Sequence, residues 1–346
     1  MAQSVVDRIS RATTPDAIEP DLAAVWRDIA KERPVARAVM SNLVVVRERA
    51  AARAGEPLTV DELAADLPLE AVVARHPSRV IVIQHDRSPQ TVCAPFAVSV
   101  GVMTFGPPEA RYGVEEISVQ SACAEQSLPS IARRLLRGDV PTSVWWTEDV
   151  SQAPPLDAIV AMARQLVYDS RGWQDVRRGI LALAPLIDAA ATRQTHPTHA
   201  TRLDLADLNW RKLTPLRHAL LHAGAAADLD RLRQGRVHIV HRAGDEALAW
   251  LAVGWLAARM EWTPETTPRV EKAQHGDETL SIAVGPDLNA ALNEHRVLVT
   301  RRGAAGFTVN VPKEDRADAV AAELRNLGHD ACLHDAIGAL AARFSR

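Results

Sequence analysis

The sequence predicts an α/β fold in which helices flank a mainly parallel sheet, followed by a smaller α+β domain. The run Arg79-Val80-Ile81-Val82-Ile83 is almost continuously apolar, as in a strand that is covered on both faces. Between residues 128 and 191, predicted helices and strands alternate, which implies right-handed crossovers and a parallel sheet. The chain has 346 residues, more than a single core usually organises, so two domains are expected.

The predicted domain boundaries follow from local composition. Residues 1–18 are largely polar and include Thr13-Thr14-Pro15-Asp16, so we expect a flexible arm. Residues 19–195 form the predicted α/β domain, which is Rossmann-like but has no dinucleotide fingerprint. A stretch rich in Thr, His and Pro at 191–201 is interpreted as the link to the α+β domain, residues 196–346.

Apolar periodicity and turn residues place the elements of the predicted α/β domain. Asp21 is expected to cap a helix that Pro34 ends. The remaining helices are predicted near 60–75, where Pro68 interrupts, and at 128–137, 156–164 and 176–191. Strands are predicted at 36–47, 79–83, 140–146 and 166–168, with an antiparallel pair at 96–105 and 114–121.

The predicted α+β domain begins with a helix at Thr214-Pro215, where Thr is the cap and Pro occupies the first helical position. Strands are expected at 235–241, 279–284, 295–301 and 306–311, and helices at 246–260, 315–327 and 331–344.

Charge, hydropathy and cysteine content indicate which partners and which cellular compartment to expect. With 40 basic and 43 acidic residues the net charge is −3, which gives no reason to expect nucleic acid or an anionic membrane as a partner. No apolar run is long enough to span a bilayer, and the N-terminus has no apolar signal segment. Cys93, Cys123 and Cys332 are odd in number and far apart, as expected of free thiols in the cytoplasm.

Familiar catalytic and cofactor motifs are missing from the sequence. It contains no G-x-G-x-x-G, no P-loop, no G-x-S-x-G elbow, no H-E-x-x-H and no C-x-x-C. The twelve histidines are scattered. We therefore expect no cofactor, no metal site and no catalytic residue.

Trp145 and Trp146 end the predicted strand at 140–146 in a chain that holds only eight Trp. Adjacent strand residues point to opposite faces, so one ring is expected in the core and the other, preferentially Trp146, at a surface that a ligand or partner contacts. The alternative is that both rings pack beneath helices.

Two further groups lie at the ends of predicted strands. Arg79 follows His76-Pro77-Ser78 and could hold a carboxylate or phosphate, or form an ordinary surface ion pair. Asp169, Ser170 and Trp173 follow the strand at 166–168, at the sheet edge where ligands of open α/β folds bind. The alternative for this group is an ordinary turn in which Asp or Ser caps the next helix.

An ordered set of short motifs resembles the glucose-6-phosphate dehydrogenase assembly protein family, OpcA. The set comprises His76-Pro77-Ser78-Arg79, Glu116-Ile117-Ser118-Val119, Leu128-Pro129-Ser130-Ile131, Val144-Trp145-Trp146, Asp169-Ser170 with Trp173, and Asp207-Leu208-Asn209-Trp210 through Leu213-Thr214-Pro215. The resemblance covers roughly residues 35–260. It departs from the family at Leu216, where members commonly have Trp.

The resemblance implies a cytoplasmic, non-catalytic partner that binds glucose-6-phosphate dehydrogenase and promotes its assembly or activity. It adds Trp210 and Arg211 to the interface candidates, because Trp and Arg often anchor interfaces. One alternative is a phosphosugar- or nucleotide-binding enzyme with a site at the carboxyl ends of the sheet strands. It would use Asp169-Ser170 and the adjacent helix N-terminus, with Arg79 as an anion clamp. A second is a thiol-based redox sensor that uses the cysteines.

Overall fold

The computed structural model describes residues 5–32, 34–49, 67–86, 97–121, 128–193, 203–263, 265–274 and 276–346. The described chain forms two compact units. The first unit comprises residues 1–148, 156–167 and 315–328, and the second comprises residues 149–155, 168–314 and 329–346. No helix in the described parts of the chain is long and apolar enough to cross a lipid bilayer.

The described strands and helices are numbered in chain order. The strands are β1 (Val5–Thr13), β2 (Ala36–Arg37), β3 (Ser41–Arg49), β4 (Ser78–Asp86), β5 (Ala97–Phe105), β6 (Tyr112–Ser121), β7 (Thr142–Trp146), β8 (Gln165–Tyr168), β9 (Asp204–Asp207), β10 (Val237–His241), β11 (Arg269–Lys272), β12 (Leu280–Val284), β13 (Leu288–Leu292), β14 (Arg296–Arg301) and β15 (Ala304–Asn310). The helices are α1 (Ile18–Glu32), α2 (Leu69–Arg75), α3 (Leu128–Leu135), α4 (Asp157–Val160), α5 (Val176–Arg193), α6 (Leu213–Ala223), α7 (Ala226–Arg233), α8 (Glu246–Arg259), α9 (Arg316–Arg325) and α10 (Ala331–Phe344).

A parallel sheet forms the centre of the first unit, as predicted. Its parallel strands lie in the order β6-β4-β3-β7-β8, and Val44 of β3 is in register with Ile81 on one side and Val144 on the other. Val80 through Ile83 are buried, as expected of a parallel strand that is covered on both faces. The α/β class predicted from the alternation of elements is therefore confirmed.

An antiparallel edge extends this sheet through β6, β5 and β1. The pair β5–β6 was predicted. The flexible arm predicted for residues 1–18 is wrong for residues 5–13, because they pair with β5 from Val5↔Phe105 to Thr13↔Val98. The helix that was expected to start after Asp21 starts at Ile18, and it buries Leu22, Val25 and Ile29 on one face.

The second unit contains its own sheet, with the strand order β11-β10-β12-β13-β14-β15. The β10–β11 pair is parallel and the other pairs are antiparallel. Strands β11 and β13 were not predicted, whereas β10, β12, β14 and β15 were, close to their observed bounds. This smaller α+β sheet confirms the second half of the predicted fold class.

Helices α8 and α10 pack closely in the second unit. Nine residues of α8 are buried, so the helix is apolar on most of its circumference. Gly254 permits the close approach, because a Cβ at this position would lie 2.5 Å from the carbonyl oxygen of Ala336 in α10.

The boundaries of the two units differ from the predicted domain limits in three places. Residues 149–155 and 168–193 lie in the second unit, and residues 315–328 lie in the first. The predicted boundary at 195–196 falls outside the described residues and stays a prediction.

Candidate functional site

The ends of β8 and β9 bring four polar side chains together in the second unit. Tyr168 is the last residue of β8, and its carbonyl oxygen accepts the N–H of Leu208, directly after β9, at 2.8 Å. This contact aligns the two strand ends. Tyr168, Ser170, Asp207 and Asn209, all buried, are named the Asp207 cluster below.

Hydrogen bonds close this cluster on itself. Asp207 Oδ1 accepts the backbone N–H of Ser170 at 3.1 Å and that of Asn209 at 2.8 Å. The side-chain Nδ2 of Asn209 donates to Ser170 Oγ at 3.2 Å. The carboxylate thus fixes the turn after each strand, and Ser170 is held within the protein rather than offered to solvent.

Three polar atoms of the cluster have no hydrogen-bond partner within the described part of the chain: Asp207 Oδ2, Asn209 Oδ1 and Tyr168 Oη. Burial raises the pKa of Asp207 to about 7; the nearby Asp169 charge acts in the same direction, while the bonds from Ser170 and Asn209 oppose it. Burial, followed by the charges of Asp207 and Asp330, raises the pKa of Tyr168 well above its usual value. The cluster therefore changes charge near neutral pH at Asp207.

Charged residues surround the Asp207 cluster in the second unit. Asp169 pairs with the exposed Arg171 at 3.4 Å between Oδ2 and Nη2. Burial, and then the Arg171 charge, lowers the pKa of Lys212, although Asp169, Asp245 and Asp207 oppose this shift. Asp169 and Arg171 form the accessible part of this region.

Trp173 is a packing residue of the second unit. Its ring stacks on Tyr168 with centroids 5.9 Å apart and lies against Gly179 of α5, where a Cβ would come within 2.5 Å of the indole. The chain directly after Trp173 is held by Asp149, whose carboxylate accepts the N–H groups of Ser151 at 2.8 Å and Gln174 at 2.9 Å. Trp173 was one of the candidate binding or interface residues, but its ring is buried and does not form part of the accessible surface.

Trp210 lies between a cation and a carboxylate. The guanidinium of Arg217 lies 4.1 Å from the ring centroid, and Trp210 Nε1 donates to Asp330 Oδ2 at 2.7 Å. Asp330 also caps α10 by accepting the Leu333 N–H at 3.0 Å. Trp210 is therefore buried, and it ties the turn after β9 to the start of α10.

Arg211 follows Trp210 on the chain and remains partly accessible. Its guanidinium donates to both carboxylate oxygens of Glu314, at 3.1 Å and 2.6 Å. A bidentate pair of this kind holds the side chain in one orientation. Arg211 remains an interface candidate, whereas its neighbour Trp210 has an internal role.

Both Trp145 and Trp146 are buried in the first unit, at 0% and 1% exposure. The guanidinium of Arg316 lies 5.4 Å from the Trp145 ring centroid. The prediction that Trp146 faces a partner or ligand is therefore wrong, and the alternative, that both rings pack in the interior, is the observed one. The parallel sheet is covered on both faces, so alternation places both rings in packed layers.

Arg79 is enclosed by carboxylates of the first unit. Its Nη1 donates to Glu115 Oε2 at 2.5 Å, and its Nη2 donates to Glu19. Glu115 also accepts Trp26 Nε1 at 3.0 Å. Arg79 is fully buried, so neither predicted role, anion clamp or surface ion pair, describes its position.

Comparisons with known proteins agree with these motifs. A family described as the glucose-6-phosphate dehydrogenase subunit N-terminal domain matches residues 69–185, and one described as the C-terminal domain of that subunit matches residues 203–337. The chain belongs to the OpcA family. The two matched ranges lie on either side of the predicted boundary at 195–196.

Three cyanobacterial relatives carry the provisional name OxPP cycle protein OpcA. The Nostoc punctiforme protein is 23% identical over 71% of this chain and 53% of its own length. The proteins of a Synechocystis species and of Synechococcus elongatus are 24% and 25% identical over 41% and 43% of this chain, and 28% and 32% of their own lengths. The chain thus spans about half the length of the first relative. No solved structure matches significantly.

Several residues that organise these sites were not among the candidate residues predicted from the sequence. Asp207 and Asn209 belong to the segment that carried the resemblance, but only Trp210 and Arg211 of that segment were chosen. Asp149 and Glu115 gave no sequence signal, because each binds a group that lies 25 or 36 residues away along the chain.

Of the three cysteines, only Cys332 lies among the residues that the structure describes. Cys93 and Cys123 lie outside the described residues. Cys332, in the first turn of α10, is partly exposed, and Arg259 Nη2 lies 2.8 Å from its sulfur. The prediction that the thiols are free and inert stays a prediction.

Proposed function

We propose that this chain is a non-catalytic accessory subunit that binds glucose-6-phosphate dehydrogenase and promotes its assembly or activity. The supporting observation is the match, in order, of two domains that are both described as parts of a glucose-6-phosphate dehydrogenase subunit. A location in the cytoplasm, and the absence of nucleic-acid or membrane partners, remain sequence predictions.

The internal pairing of the predicted anion-binding groups supports a binding role over catalysis. Arg79 is enclosed by Glu19 and Glu115, and the hydroxyl of Ser170 accepts a hydrogen bond within the buried Asp207 cluster. An anion clamp must present its donors to a ligand, and these groups are bonded to the protein instead. The phosphosugar- or nucleotide-binding alternative therefore loses Arg79 and Ser170, two of the groups on which it depended.

The proposed mechanism is a shift of an equilibrium in the dehydrogenase. An accessory subunit that binds the active form more tightly than the inactive form shifts the equilibrium towards the active form. At saturation, the ratio of active to inactive dehydrogenase rises by the ratio of the two affinities. About 1.4 kcal/mol of preference suffices for a tenfold shift. Neither a cofactor nor a reacting side chain is required in the accessory subunit.

We place part of the contact surface at Asp169 and Arg171 in the second unit. Arg171 has 53% of its side chain exposed, next to the partly accessible Asp169. Arginine is enriched at protein interfaces, and a side chain must be accessible to contact a partner. The buried Trp173, whose backbone N–H donates to the carbonyl oxygen of Ser170 at 3.3 Å, would support this surface from within.

The test uses purified chain and purified dehydrogenase from the same organism. Light scattering coupled to gel filtration measures complex formation, and the rate of glucose-6-phosphate oxidation measures activation. We expect a complex and a higher rate or a more stable oligomer. Absence of a complex together with an unchanged rate would refute the accessory role, and turnover of a phosphosugar by the chain alone would favour the enzyme alternative.

A matched pair of charge reversals tests the surface. Arg171→Glu is expected to weaken the complex at least about tenfold, the effect of losing about 1.4 kcal/mol. Arg233→Glu is the control, because Arg233 is 68% exposed on α7 and pairs with the equally exposed Asp230. Equal affinities of the two variants would place the contact elsewhere, without affecting the accessory role itself.

A further inference from the structure

Three potential metal ligands meet in the second unit, apart from the Asp207 cluster. Asp204 is the first residue of β9, His329 precedes α10, and His334 lies in the first turn of α10. One ligand atom from each side chain lies within 4.8 Å of the other two. Asp204 and His334 are buried, and His329 is largely buried.

Contacts already bring these side chains close to ligand spacing. Asp204 Oδ1 and His329 Nδ1 are 3.1 Å apart, near the roughly 3.3 Å that separates two ligands of a tetrahedral ion bound at about 2 Å. The rings of His329 and His334 meet edge to face, with centroids 4.2 Å apart.

The tautomer of His334 suits coordination. Its Nε2 accepts the backbone N–H of Leu205 at 3.3 Å, so this nitrogen carries a lone pair directed towards β9. A metal ion needs a nitrogen in this form. The long hydrogen bond to Leu205 would be exchanged for a coordinate bond.

We propose that Asp204, His329 and His334 form a site for a divalent transition-metal ion, with Zn²⁺ as the best-matched ion. Two imidazole nitrogens and one carboxylate oxygen suit zinc, and three protein ligands leave a fourth position for water or another donor. The inference rests on the donor geometry and is independent of the proposed function.

The place of the site in the fold assigns its role. The ion would connect β9 to the start of α10, where Asp330, next to His329, already binds Trp210. The ion would therefore stabilise the packing of the β9 segment against α10, to which the Trp210–Asp330 hydrogen bond also contributes. Its ligand Asp204 lies three residues before Asp207. The bound ion would hold the first residue of β9 against the start of α10.

The experiment measures metal content and binding on the full chain, purified without a polyhistidine tag. Elemental analysis should give one zinc per chain. After removal of metal with a chelator, calorimetric titration with Zn²⁺ should show one site, and Zn²⁺ should raise the melting temperature. Co²⁺ should produce the intense visible bands of a tetrahedral site.

Variants assign the site to its ligands. Asp204→Asn, His329→Gln and His334→Gln should each weaken Zn²⁺ binding more than about tenfold. The control is His238→Gln: His238 pairs with Glu271 at 3.0 Å, a similar histidine–carboxylate pair outside this three-residue group. This control should bind Zn²⁺ as the unmodified chain does.

The outcomes are separable even where a ligand variant folds poorly, because the Co²⁺ spectrum and stoichiometry are measured on the unmodified chain. No bound zinc and no tetrahedral Co²⁺ spectrum would overturn the proposal. Tight zinc binding that all three variants retain, with circular dichroism showing intact folds, would overturn it as well.

Discussion

Replacing Asp207 by Asn should alter how stability depends on pH. Burial raises the pKa of this carboxyl from 3.8 to about 7. Below about pH 4 the carboxyl is protonated in both the folded and the unfolded chain, so it does not make the free energy of unfolding depend on pH. Between about pH 4 and pH 7 only the unfolded chain loses it, and each pH unit lowers the free energy of unfolding by about 1.4 kcal/mol.

The total effect is large because the interval spans about three pH units. By pH 7 the ionisation of Asp207 has lowered the free energy of unfolding by about 4 kcal/mol relative to acid pH. Above this pH the free energy no longer changes through Asp207, because the carboxyl is ionised in both the folded and the unfolded chain. The side-chain amide of the Asp207→Asn variant does not titrate, so the stability difference between the variant and the unmodified chain should shift in favour of the variant as pH rises. The new N–H₂ group adds an offset of about 1–3 kcal/mol, because Oδ2 of Asp207 has no described hydrogen-bond partner; the offset does not vary with pH.

Urea unfolding followed by tryptophan fluorescence at roughly pH 5, 6, 7 and 8 measures this difference. Asp230→Asn is the control, because Asp230 is exposed and pairs only at the surface with Arg233. We expect the Asp207 difference to change by about 2 kcal/mol between pH 5 and pH 7 and the control to change much less. An Asp207 difference that is constant over this range would refute the assignment of a raised pKa.

Two further substitutions test the interior of the first unit, again by urea unfolding. Glu115→Gln should destabilise it by about 3–5 kcal/mol, because the buried Arg79 loses its closest countercharge. The control Asp230→Asn should destabilise the protein by less than about 1 kcal/mol, because its ion pair with Arg233 is exposed. Equal effects of the two substitutions would contradict a buried Arg79–Glu115 pair. Trp146→Ala should cost about 3–5 kcal/mol, because the whole ring is buried, and a variant of unchanged stability would show that the ring is not packed in the core.

The sequence predicted the parallel sheet because its strands carry a local signal. The apolar run at 79–83 and the regular alternation after residue 128 required no knowledge of distant contacts. Strand β1 has no such signal, since Asp7, Arg8, Ser10 and Arg11 interrupt its apolar residues, and it forms by pairing with β5. Strand β13 reads Leu-Asn-Ala-Ala-Leu, whose Asn and Ala disfavour strands, so its neighbours β12 and β14 determine its conformation.

The candidate site shows the same limit for side chains. The sequence selected the strand end at Asp169-Ser170 as a candidate site, because such ends gather polar residues in α/β folds. It could not show that Ser170 would be held by Asp207, which lies 37 residues further along the chain. For Arg79, the sequence offered an anion clamp or a surface pair, and the fold supplied the buried Glu115.

Burial changes where the specificity of this OpcA chain should be sought. The motif residues that carried the resemblance, including Trp146, Trp173 and Trp210, are buried, so they maintain the fold and cannot contact a partner directly. Under the proposed accessory role, a partner distinguishes one such subunit from another only through accessible side chains. Arg171 and Arg211 meet that condition beside a buried framework. Exchanging these exposed residues between relatives should therefore change partner choice, whereas exchanging the buried tryptophans should change stability.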